Sequence, residues 1–104
     1  MTTQQAPAAL QNPNTGASRI AAERNRQLEA NGYDAAHDDE HASSELAIAA
    51  VAYIFAEEDP EYASKVWPFA DGFRPSADPV RNLERAGALI AAEIDRLLRM
   101  RGEG

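Results

Sequence analysis

The stretch that most constrains this chain is its last quarter. Asp78-Pro79 reads as a helix start. The aspartate carboxylate can accept from the first free backbone N–H groups, and proline stands at the one helical position where a missing N–H costs nothing. Val80, Leu83, Gly87, Ile90, Ile94 and Leu97 then recur at intervals of 3, 4, 3, 4 and 3 residues. That spacing holds one apolar seam along one side of a helix. The pattern predicts helix from Pro79 to about Arg101, stopped by Gly102 and roughly 33 Å long at 1.5 Å per residue. Arg96, Arg99 and Arg101 fall in its last turns, where the helix dipole favours cations. Such a seam needs cover, either from the same chain or from a second subunit. A homodimer or other homo-oligomer is therefore among the expectations.

The remaining segments suit shorter helices. Ser18 is the expected N-cap of a first helix over Arg19 to Asn31, with Gly32 as its C′ residue and an i,i+4 pair between Arg19 and Glu23. Its apolar stripe is thin: Ile20, Ala21 and Leu28, with Arg24 and Gln27 on the same side. A helix this polar packs on a larger body by one edge. Tyr33 to Ser44 is polar and reads as a loop. Ser43 or Ser44 is the expected cap of a second helix over Glu45 to Glu57. There Leu46, Ile48, Val51, Tyr53, Ile54 and Phe55 lie on all sides, which predicts a central, buried helix. Ala47, Ala49, Ala50 and Ala52 allow close approach. Glu57 to Asp78 contains Pro60, Pro68, Gly72 and Pro75, which forbid a long helix. It also carries Tyr62, Val66, Trp67, Phe69 and Phe73, and one short helix is expected near Glu61 to Lys65.

Residues 1–17 offer only Met1 and Leu10 as large apolar groups and cannot offset their ordering entropy. The expected organisation is a disordered tail over 1–17 and a single helical domain over 18–104. The expected fold class is all-α: a small bundle of three main helices with an aromatic-rich connection before a long C-terminal helix.

Ten Lys and Arg against seventeen Asp and Glu give a net charge of −7. That argues against binding duplex nucleic acid, which needs a basic surface, and permits docking on a basic host protein. Without cysteine, disulfides and thiolate chemistry are excluded. No apolar run approaches the roughly 18 residues of a membrane span, and no leader pattern opens the chain, so the cytoplasm of a host cell is the expected location.

Candidate chemistry gathers in the polar segments. His37-Asp38-Asp39-Glu40-His41 holds both histidines and three carboxylates. Imidazole with carboxylate suits zinc, manganese or iron. Neighbours this close in a loop cannot all converge on one ion, so a site built on Asp38 and Asp39 would also need Glu45, Glu23 or Glu93. No metal cofactor is expected; magnesium or manganese is the alternative. Glu93 lies beside the seam, and a buried carboxylate must be paired; Arg24, Arg81 and Arg85 are candidate partners. Trp67 and Arg74 share the connection, and an indole with a guanidinium can stack a base and bind phosphate. Arg81 adds charge near a helix N-terminus, where anions are favoured. Arg24, Gln27, His37 and His41 complete the expected ligand-binding set. No Gly-rich phosphate loop or nucleophile elbow is present.

Several blocks in order resemble a small protein type of bacteriophages and prophages. They are Glu23-Arg24-Asn25-Arg26-Gln27, Gly32-Tyr33, His37-Asp38-Asp39-Glu40-His41, Glu45-Leu46-Ala47, Tyr53, Trp67-Pro68, Arg74-Pro75 and the run from Arg85 to Arg96. The resemblance spans about Ser18 to Arg99 and implies a phage-related accessory role and little chemistry. A fainter similarity, over Ala88 to Ile94, is to MazG-like nucleotide pyrophosphohydrolases. Glu57-Glu58-Asp59-Pro60-Glu61 carries their first acidic block only in part, and Arg96 stands where their later block has Asp. The expected function is a phage accessory protein that binds a small anionic ligand, such as a nucleotide or a nucleotide-derived immune signal of the host, in counter-defence. A metal-dependent pyrophosphohydrolase and an acidic inhibitor of a host protein are the alternatives.

Overall fold

A computed structural model describes residues 12–30 and 44–103. It contains four helices: α1 (Gly16–Ala30), α2 (Glu45–Phe55), α3 (Pro60–Val66) and α4 (Pro79–Met100). No strand occurs among the described residues, so the fold is all-α with a long C-terminal helix.

Local chemistry accounts for most helix ends. Asp78 accepts from Val80 N at 3.0 Å with Pro79 behind it, as the sequence predicts. Asp59-Pro60 repeats the device for α3, Asp59 accepting from Tyr62 N at 3.1 Å. At the other end of α4, Gly102 adopts a positive φ of 73°. Its N–H donates to Arg99 O, and that of Glu103 donates to Leu98 O, which is a Schellman closure. Three expectations are corrected. The first helix starts at Gly16 rather than Arg19, because Thr15 Oγ1 rather than Ser18 accepts from the first turn, at 3.1 Å from Ser18 N. Ser44 precedes α2 in a left-handed conformation, φ 64°, and its side chain makes no cap hydrogen bond. The second helix ends at Phe55, and Asp59 N closes the following turn onto Phe55 O at 2.8 Å. The expected stop at Gly32, the His37–His41 loop and residues 1–11 lie outside the described residues.

The core is a close helix pair. Leu46, Ala49 and Ala50 of α2 meet Ala86, Leu89 and Ala92 of α4, with Tyr53, Trp67 and Phe69 packed against the cluster. Alanine on both faces removes the bulk that would hold the axes apart. α2 is therefore buried on one face only, which corrects the expectation of a helix covered on all sides: Ile48, Ile54 and Phe55 are exposed. The Trp67 connector folds back on the α2 end of this pair. Tyr53 and Trp67 meet edge to face at 5.6 Å, Phe73 lies 5.0 Å from Trp67, and Arg85 stands 5.8 Å over the Tyr53 ring. Buried Asn82 ties the connector to α4, donating to Ser76 O and accepting from Ser76 N at 2.9 and 2.8 Å.

The seam is the largest departure. Val80, Leu83, Ile90, Ile94 and Leu97 remain 42–54% exposed, so the described part of the chain does not cover it. Among the described residues, Ile20 of α1 lies on it at Gly87, where it occupies the space a side chain would need.

α1 lies across α4. Arg19 and Glu23, one turn apart, meet Glu84 and Arg81, whereas Ile20 and Arg24 on the next row meet Gly87 and Asp95. Neighbouring rows of α1 thus reach opposite ways along α4. A Cβ at position 87 would stand 2.5, 2.7 and 3.1 Å from Ile20 Cδ1, Cγ1 and Cγ2. Two of these distances are below 3.0 Å, so Ile20 would have to shift. Gly87→Ala is expected to destabilise by up to about 2 kcal/mol: an overpacking cost of about 1–3 kcal/mol is offset by the roughly 1 kcal/mol gained from helix propensity. Urea denaturation measures this, and a variant more stable than wild type would contradict the close approach.

Candidate functional site

Arg19, Glu23 and Arg26 are spaced i, i+4, i+7 and share one face of α1. The α1–α4 crossing sets that face beside Arg81 and Glu84, in the first turns of α4. Glu23 is 2% exposed. Its carboxylate accepts from Arg26 Nε and Nη2, both at 2.8 Å, and pairs with Arg81 Nη2 at 2.7 Å. Arg81 Nη1 continues to Glu84 at 2.9 Å, and Glu84 accepts from Arg19 Nε at 2.6 Å. The result is an alternating row, Arg26–Glu23–Arg81–Glu84–Arg19, across two helices.

These five side chains, with Pro13 and Ala22, line a shallow cleft of about 270 Å³. Three guanidinium groups against two carboxylates leave the lining at net +1, in a chain whose net charge is −7. Arg19 and Arg26 stand at the mouth, with side chains 42% and 44% exposed. The cleft therefore combines a fixed cationic floor at Arg81 with two arms that reach solvent. A guanidinium presents five N–H donors in a fork that matches phosphate or carboxylate oxygens.

The sequence-predicted ligand residues fall in several places. Arg81 lines the cleft. Arg24 lies on the next row of α1, 3.7 Å from Asp95. Gln27 is buried and donates to Glu23 at 3.3 Å, and its Oε1 has no hydrogen-bond partner among the described residues. Trp67 sits in the aromatic cluster with Nε1 donating to Asp71 at 3.3 Å, and Arg74 is exposed on the connector. Neither Trp67 nor Arg74 lines the arginine cleft. His37, His41, Asp38 and Asp39 lie outside the described residues. Of the other candidate metal ligands, Glu45 sits in the first turn of α2, and Glu93 is buried. Glu93 is paired with Arg96 through two bonds of 2.6 and 3.0 Å, rather than with Arg24, Arg81 or Arg85. Arg19 pairs with Glu84, not with Glu23 as the helical spacing suggests. No three His, Asp or Glu side chains among the described residues converge on a point. Sequence reasoning missed Arg19 and Arg26 as site residues. The signal lay in the 4,3 spacing, since Arg24 and Arg26 of one short block point to different sides of the helix.

Burial pushes the Glu23 carboxyl up, but the hydrogen bonds and charges of Arg26 and Arg81 outweigh it and hold it below the ordinary value of 4.5. A carboxyl lowered on folding stabilises fully above its unfolded value, and that contribution fades as pH falls through the folded one. Glu23→Gln should cost about 2 kcal/mol near neutral pH, because it leaves Arg81 short of a charged partner. The gap between wild type and variant should narrow below about pH 4.5. A gap independent of pH in denaturant titrations between pH 7 and about pH 3 would contradict this assignment.

Compared with family models, with curated proteins and with solved structures, the chain matches none.

Proposed function

We propose that this chain is a non-catalytic accessory protein that binds a small anionic ligand, in the phage or prophage setting its sequence pattern resembles. The observation that carries this reading is the cleft in which Arg19, Arg26 and Arg81 meet. An acidic surface repels free anions, so a local net positive cleft is a selective place for one, which would compete with Glu23 and Glu84 for the guanidinium groups. Its 270 Å³ falls just below the roughly 300–1,000 Å³ of pockets that enclose a whole organic ligand. The cleft suits the phosphate or pyrophosphate end of a ligand whose remainder lies outside. A nucleotide, or a nucleotide-derived signal of host defence, has that form. Sequestering such a signal needs no catalytic group.

Calorimetry of the full chain against pyrophosphate, nucleoside mono-, di- and triphosphates and cyclic dinucleotides tests the reading. Binding that weakens with added salt is expected for at least one of them. Arg19→Gln and Arg26→Gln each remove a charged donor from the mouth, where the side chain is not needed to fill the core. Each should weaken binding about tenfold or more, since a hydrogen bond to a charged group contributes about 1.5–3 kcal/mol. Absence of heat across the panel, or unchanged affinity in both variants, would overturn it. Magnesium-dependent turnover of a nucleotide would point to a hydrolase instead.

A further inference from the structure

One side of α4 is apolar and, among the described residues, uncovered except at Gly87, where Ile20 of α1 lies on it. Val80, Leu83, Ile90, Ile94 and Leu97 are each between 42% and 54% exposed. Together they present roughly 400 Å² of apolar surface, a contiguous patch of the size that is often functional. The stripe is also clear of charge, because the charged side chains of α4 between Arg81 and Arg96 are engaged elsewhere. Arg81 and Glu84 belong to the cleft, and Arg85 stacks over Tyr53. Glu93 and Arg96 pair with each other, and Asp95 faces Arg24.

We propose that this stripe is the interface with a second copy of the chain, α4 lying antiparallel on α4 of the partner. Composition narrows the occupant. Residues 1–11 contain Met1 and Leu10 as large apolar side chains, and residues 31–43 contain Tyr33. Neither segment offers an apolar row to match the 3,4 spacing of the stripe, whereas α4 itself does. The area is compatible: roughly 400 Å² from these five residues supplies half of the ~800 Å² per partner in a standard interface, the flanking side chains adding the rest.

Charge selects the direction. The start of α4 carries Asp78, and its end carries Arg101, which also pairs with Glu103 of its own chain. A parallel pair would stack the two Arg101 side chains and align the helix dipoles. An antiparallel pair sets each Arg101 near Asp78 of the partner subunit and opposes the dipoles. Leu83 and Leu97 lie seven residues either side of Ile90. A two-fold axis at Ile90 therefore places Leu83 against the partner's Leu97, and Ile90 against its own copy.

Light scattering on the full chain should give twice the 11.3 kDa chain mass at micromolar concentration, dissociating on dilution. Ile94→Glu and Leu83→Glu each put a charge on the stripe at exposed positions, so both should halve the measured mass and leave the helical circular dichroism unchanged. The chain has no cysteine, so single introduced thiols report the register. Under mild oxidation Ile90→Cys should form a disulfide-linked dimer, and Leu97→Cys should not. A monomeric wild type would overturn the proposal. So would an Ile94→Glu variant that stays dimeric, or Leu97→Cys cross-linking as readily as Ile90→Cys.

Discussion

Glu23 carries a charge almost wholly removed from water. Such a group persists in a fold only when opposite charges and donors surround it. Its partners come from two helices, Arg26 from its own and Arg81 from α4, and Arg81 passes the interaction on to Glu84 and Arg19. α1 buries little else: Ser18, Glu23 and Gln27 are its buried side chains, while Ala21 and Leu28 are exposed. The usual apolar seal between packed helices is therefore reduced here to Ile20 in the groove at Gly87. The polar row does much of the holding. It also fixes which way the guanidinium groups point, so the cleft is a by-product of how α1 is attached.

The α2–α4 pair works on a different principle. Its contact is built from alanine on both sides with Leu46 and Leu89 between, and the aromatic side chains pack against it from α2 and the connector. Close approach by small residues buries backbone and methyl groups efficiently, yet it leaves the large aliphatic residues with nowhere inside to go. Ile48, Ile54, Leu83, Ile90 and Ile94 are outside for that reason. The described residues therefore form a thin interior with an apolar exterior face, the face on which the proposed dimer rests.

Much of the fold was legible in the sequence because helix ends follow local rules. Asp78-Pro79 and Gly102 delimit α4 through contacts within a few residues, and the breakers between Glu57 and Asp78 left room for one short helix where α3 stands. The seam was legible as a pattern, but a heptad spacing says only that cover is needed, not which element supplies it. The identical reasoning misjudged α2, where apolar residues on every side suggested full burial and alanine contact provided only one buried face. The site was less legible still. Arg19 and Glu84 are 65 residues apart, and nothing local relates them. The Arg19–Glu23–Arg26 spacing and a glycine in mid-helix at position 87 were the available clues. They require the α1–α4 crossing before they mean anything. Trp67 and Arg74 drew attention by residue type, yet Trp67 serves the packing of the connector.

The claim on which this account rests is that Glu23 and Arg81 bind α1 to α4 as a coupled pair. A double-mutant cycle with Glu23→Gln and Arg81→Met measures that coupling without needing a ligand. The two sites should interact by about 1–3 kcal/mol, the double variant losing much less than the sum of the single losses. Losses that simply add, to within about 0.3–0.5 kcal/mol, would mean that the pair does not hold the helices together and that the cleft has another origin.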